Sequence, residues 1–188
     1  RVLGLFSLAY ALTFAALLQC RLRRPEEALL LAEETRRLAE SHGFHLWRIG
    51  AGIAAGWARV QQGEVAGVAD IRRCVEETRM AMGGVSLVVL TPLADALAGL
   101  GHHREALSTI EEALQIGEAL GDHHADAELL CLKGDALLAQ AVKNVASAIA
   151  CFKQAIAIAS LQQAAALETR ARDSLAAASR MRGGAAAA

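Results

Sequence analysis

The residues best suited to chemistry are four of the six histidines, which stand in two adjacent pairs, His102-His103 and His123-His124. Paired imidazoles suggest a zinc site, whose nitrogen ligands must lie about 2.0–2.1 Å from a single ion. Between the pairs runs "REALSTIEEALQIGEALG", Arg104 to Gly121, with the apolar spacing of one helix. About seventeen helical residues at 1.5 Å each hold the pairs roughly 25 Å apart, so they cannot share an ion. The histidines therefore read as exposed turn residues and no metal is expected; the alternative is a two-histidine site completed by a second chain.

Other reactive side chains lack a supporting pattern. Cys20, Cys74, Cys131 and Cys151 are far apart with no C-x-x-C spacing, and read as free, mostly buried thiols. Glu111 and Glu112 fall on a solvated helix face. No G-x-x-x-x-G-K-[ST] occurs, and "MGGV" (Met82 to Val85) is explained by a turn that ends a helix. No Ser-His-Asp or Cys-His set has context. Neither catalysis nor a cofactor is expected. A net charge of −1 gives no basic balance for direct nucleic-acid binding.

The elements that position these residues come from composition and period. Apolar residues are 54% of the chain but aromatics only 4%, so the core is built from Ala and Leu, as in closely packed helices. "RRPEEALLLAEETRRLAESHG" (Arg23 to Gly43) reads as a turn, Glu-Ala-Leu, then an amphipathic helix. "GHHREALSTIEEALQIGEALG" and "NVASAIACFKQAIAIAS" repeat this, and "QGEVAGVADIRRCVEETRMAMG" is a weaker copy. Small residues at Ala28, Val68, Ala106 and Ala148 recur at intervals of 40, 38 and 42 residues, which indicates stacked helix pairs. Ala16, Gly56, Ala94 and Gly134 precede them in register, and Thr35, Val75, Ala113 and Ala155 follow. Small side chains are needed wherever helix axes approach to about 8–10 Å. The fourth copy is offset by a longer turn at Val142 to Asn144.

First helices are expected near Val2–Leu22, His45–Gln62, Val85–Leu100 and Asp122–Gln140. Second helices are expected near Pro25–His42, Val65–Met82, Arg104–Leu120 and Asn144–Ser160. A ninth, Ala164–Arg182, caps the stack, and 183–188 is a low-complexity tail. Val2 to Cys20 carries no charge, but its Ala and Leu with interspersed Gly4, Ser7 and Thr13 read as a buried helix rather than a membrane span.

These small positions resemble the tetratricopeptide repeat, which implies an all-α, right-handed solenoid of about four helical hairpins over residues 1–182. "AELLCLKGDALLA", "ASAIACFKQAIAIAS" and "ALETRARDSLAAASR" are more specifically similar to C-terminal solenoids of large bacterial signal-transduction ATPases, fused to nucleotide cyclases or to helix-turn-helix activator ends. The resemblance implies a fragment of a larger cytoplasmic protein. It would be a non-catalytic interaction and regulatory module whose partners are proteins, peptides or other domains of the parent; a small-ligand sensor is the alternative. In such a stack the first helices line the groove. The register places Tyr10, Thr13, Trp57, Gln61, Thr91, Asp95, Glu128 and Asp135 there as candidate contacts, with the aromatics as anchors and the carboxylates facing a basic or donor-rich partner; the alternative for Trp57 is simple packing between helices.

Overall fold

The structure, a computed structural model, describes residues 2–141 and 144–186. It is all-α: among the described residues there are nine helices and no strand. They are α1 (Val2–Arg21), α2 (Pro25–His42), α3 (His45–Gln61), α4 (Gly67–Met82), α5 (Leu87–Gly99), α6 (His103–Leu120), α7 (Asp126–Gln140), α8 (Val145–Leu161) and α9 (Ala165–Ala186). Pro25 opens α2, where a missing N–H costs nothing. Gly43, Gly83 and Gly121 close α2, α4 and α6 in the left-handed conformation, with φ of 69°, 69° and 64°.

Three helix starts differ from expectation by two residues or more, α5 among them, which begins at Leu87 rather than Val85. Helix α4 begins at Gly67 rather than Val65, because Glu64 to Ala66 form a turn. Helix α7 begins at Asp126 rather than Asp122. Asp122 instead accepts from the His124 backbone N–H at 3.3 Å, a side-chain bond that competes with helix formation. The backbone of α9 continues past Arg182 to Ala186; of the expected tail, residues 187–188 lie outside the described residues, as do Val142 and Lys143 of the expected longer turn.

The chain divides into two compact units, Arg1–Leu100 and Gly101–Ala188. In the first, α2 packs on α1 and α3, and α3 on α4 and α5. In the second, α6 packs on α7, α7 on α8, and α9 on both α7 and α8. Every small residue of the repeat register is buried: Ala16, Ala28 and Thr35; Gly56, Val68 and Val75; Ala94, Ala106 and Ala113; Gly134, Ala148 and Ala155. The reason is local geometry. A Cβ on Gly56 would sit 2.8 Å from the carbonyl oxygen of Gly67, so α3 and α4 touch backbone to backbone. A Cβ on Gly134 would sit 2.6 Å from Cζ of Phe152, a fully buried ring of α8.

Burial also sets the state of the thiols. Loss of hydration pushes Cys74 and Cys131 up to about 11 from an ordinary 9.0, and raises Cys151. A disulfide-exchange reagent at pH 8 should therefore label Cys74 and Cys131 at least tenfold more slowly in the native chain than in urea. Rapid native labelling at either position would contradict their placement. A raised thiol pKa means that the folded state holds its proton more tightly. The associated stability is complete below pH 9 and is lost as the pH rises toward about 11.

Candidate functional site

Three of the four paired histidines stay with local carboxylates. His123 Nδ1 lies 2.8 Å from Asp126, His124 Nδ1 2.6 Å from Asp122, and His102 Nδ1 3.7 Å from Glu105. The bond from His124 lowers the pKa of Asp122 below the usual carboxylate range. Among the described residues no three His, Cys, Asp or Glu side chains converge as metal ligands would.

The expected groove residues do not form one open surface. Thr13, Trp57, Thr91, Asp95 and Glu128 are buried. Thr13 and Thr91 turn their hydroxyls back onto Ala9 and Leu87, at 2.7 and 2.8 Å. Trp57, only 1% exposed, donates Nε1–H to Asp95 at 2.5 Å. Asp95, 8% exposed, also takes a two-pronged contact from Arg23 at 2.6 and 2.7 Å. The expectation that Trp57 anchors a partner and Asp95 faces one is therefore corrected. Both belong to a network inside the first unit. A carboxylate is tolerated there because it is paired with a guanidinium and an indole. Arg23 reaches it from the turn after α1 with a φ of 60°, a left-handed conformation that costs a non-glycine residue energy. Tyr10 and Gln61 remain at the surface, and Asp135 in the second unit accepts from Arg170 and Ser174 at 3.3 and 3.2 Å.

The opening in the first unit lies on the other side of α3. At about 100° per residue, Trp57 and Gln61 point away from Arg48, Ala55 and Arg59. That second face, with α2 and α4 on either side, forms a cleft of about 240 Å³. Its floor is small: Ala32, Ala51, Gly52 and Ala55, with Cys74. Its walls hold four guanidiniums, Arg36, Arg48, Arg59 and Arg73, with Glu33, Glu40 and Asp70 among them.

The charges are arranged by end. Arg48 near the start of α3 pairs with Glu77 late in α4, and Arg59 near the end of α3 pairs with Asp70 early in α4 at 3.2 Å, as antiparallel helices require. Arg36 contacts Glu40 at 3.0 Å on α2. Asp70 is shared: Arg73 also contacts it, at 2.6 Å. The Arg59–Asp70–Arg73 end thus has two guanidiniums to one carboxylate, while Arg36 and Arg48 are each matched by a carboxylate and Glu33 adds a further negative charge on the α2 wall, so the excess is local to that end. Sequence reasoning missed these residues. The available signal was "HLWRIGAGIAAGWARVQ", in which Arg48 and Arg59 interrupt an apolar helix eleven residues apart, about three full turns and so on one face.

Paired antiparallel helices crossing on buried small residues define a helical-repeat protein. Residues 86–161 match the tetratricopeptide repeat family, which makes that region a tetratricopeptide-like helical repeat. No curated protein matches the chain. Repeats of this family generally mediate protein–protein interaction, and their fold is typically non-catalytic.

Proposed function

We propose that this chain is a protein-interaction and regulatory module of a larger cytoplasmic bacterial signalling ATPase or transcription regulator, and that the α2–α3–α4 cleft takes an acidic peptide segment. The parent context rests on the resemblance of the C-terminal helices to such solenoids. The cleft assignment rests on one observation: the excess guanidinium charge of Arg59 and Arg73 beside a floor of alanine and glycine. Arginine binds carboxylates through paired donors, and a small-residue floor lets a backbone approach closely. The volume of 240 Å³ falls below the roughly 300–1,000 Å³ of small-molecule pockets. That favours a peptide side chain over a whole metabolite, and so favours the interaction module over the small-ligand sensor. The interspersed Glu33, Glu40 and Asp70 disfavour a polyphosphate.

The test is fluorescence polarisation with a labelled Glu-Leu-Glu-Leu-Glu peptide, its Lys-Leu counterpart, and inorganic phosphate as competitor. The acidic peptide should bind in a salt-dependent way. Arg59→Ala and Arg73→Ala should each weaken it about tenfold or more, the scale of a charge-assisted hydrogen bond. Glu111→Ala in the second unit should leave it unchanged. Equal binding of both peptides, or displacement by millimolar phosphate, would remove the acidic-peptide assignment. A parent reading frame without an ATPase, cyclase or DNA-binding domain would remove the signalling context.

A further inference from the structure

Helix α1, expected from its sequence to be buried, instead leaves apolar side chains open, Leu8 at 45% among them, and most of them gather on one face. Leu3, Phe6, Tyr10, Phe14 and Leu18 are 84%, 44%, 50%, 43% and 52% exposed, all on one side of the helix. Their rings continue into an aromatic cluster. Phe6 lies edge-on to Phe44 and Trp47, with centroids 5.3 Å apart in each pair; Tyr10 lies edge-on to Trp47 at 5.3 Å and 4.7 Å from Phe14. The chain has four Phe, two Trp and one Tyr, and five of these seven gather here. Trp47 is buried and Phe44 half-buried, so Phe6, Tyr10 and Phe14 form the exposed part of the cluster, and exposed aromatic patches are uncommon on a surface that meets only water.

The repeat itself limits what covers this face. Forty residues on, α3 carries Gly50 and Ala54 where α1 carries Tyr10 and Phe14. That face of α3 is packed on the preceding helix pair: Trp47 clusters with Ala9 and Ala39, and a Cβ on Gly50 would lie 2.5 Å from Thr13 Cγ2. A helix pair docked on α1 in the same geometry would collide with the Tyr10 and Phe14 rings. The face must meet something of another shape.

We propose that its occupant is α1 of a second copy of this chain, packed antiparallel about a two-fold axis near Tyr10. Gly4, Ser7, Leu8 and Ala11 are exposed as well, but the large side chains along this arc are Leu3, Phe6, Tyr10, Phe14 and Leu18, the same order of residue types in either direction, with Leu3 seven and Leu18 eight residues from Tyr10. An isologous pair requires that if one residue meets another, the reverse contact also forms. An antiparallel pairing satisfies this: Leu3 meets Leu18 of the second copy, Phe6 meets Phe14, and Tyr10 meets Tyr10. No charged residue occurs from Val2 to Cys20, as suits the apolar interfaces of homodimers. At about 150–250 Å² for a large side chain, the stated exposures leave on the order of 500 Å² uncovered per copy. Two copies would bury about 1,000 Å², the size at which a specific interface begins. This inference is independent of the cleft assignment.

Sedimentation equilibrium of the whole chain reads the outcome. The chain should dimerise, and Phe14→Glu should weaken the dimer at least tenfold while circular dichroism stays unchanged. Leu30→Glu, at an exposed position on α2, should have no effect. If Phe14→Glu lowers helicity, the conservative variant Tyr10→Cys decides: it should form a disulfide-linked dimer on mild oxidation, and Leu30→Cys should not. A chain monomeric at several hundred micromolar, a dimer insensitive to Phe14→Glu, or a monomer that binds phosphatidylcholine vesicles through this face would each overturn the proposal.

Discussion

Replacing Trp57 by alanine is expected to cost about 3–5 kcal/mol of folding stability, the range for deleting a large buried ring. The indole is 1% exposed and its N–H is held by Asp95, so the change opens a cavity and leaves a carboxylate short of a donor. Asp95→Ala should cost about 1–3 kcal/mol, because the Trp57 donor is then buried without a partner. Little of that loss comes from the ion pair itself, since the Arg23 side chain is 39% exposed and solvent screens it. Trp57→Phe should fall below Trp57→Ala, keeping most of the volume and losing the hydrogen bond. Urea denaturation of the three variants gives the order. If Trp57→Ala unfolds at the wild-type midpoint, the ring is not where the structure puts it.

The second large effect belongs to the α3–α4 crossing. Gly56→Val should destabilise by about 1–3 kcal/mol or more, through overpacking that cannot relax. A Cβ there meets Ile71 Cγ1 at 2.7 Å and the backbone carbonyl of Gly67 at 2.8 Å, and a rigid helix cannot swing the carbonyl aside as a flexible side chain would swing. Gly84 is the control, since a Cβ there meets nothing within 4 Å and its φ is not left-handed. Gly84→Ala should melt with the wild type. Comparable losses at both positions would mean that glycine is needed for reasons other than close approach.

These two sites show what could be read in the sequence. The crossing was legible: Gly56 and Val68 keep the small-residue register, and that register needs only local spacing. Helix ends marked by glycine were legible for the same reason, since Gly43, Gly83 and Gly121 each supply the left-handed turn where it falls. The Trp57–Asp95–Arg23 network was not. Its members are 38 and 72 residues apart, and no periodic pattern couples a turn after α1 to α5, the fourth helix after it. Projection by repeat register assigned Trp57 and Asp95 to an open face and could not tell such a face from one covered within its own unit. The charged cleft fell between these cases. Arg48 and Arg59 declared a shared face on α3, whereas their partners on α2 and α4 depended on how closely the small floor residues let those helices approach.

The alanine-rich crossings carry one more consequence, in the entropy of folding. Alanine is the commonest buried residue among those described, filling position after position from Ala9 to Ala178. An alanine has no side-chain rotamer to freeze when it is buried, whereas leucine or isoleucine gives up about 0.5–1 kcal/mol and methionine more. Its short side chain also gains less from leaving water, at about 0.8 kcal/mol per buried methylene. The core therefore forgoes part of the usual hydrophobic gain and escapes part of the usual disorder penalty. Stability in such a core rests on how closely backbones can approach, so it is sensitive to added volume and comparatively indifferent to which apolar side chain lies at its margins.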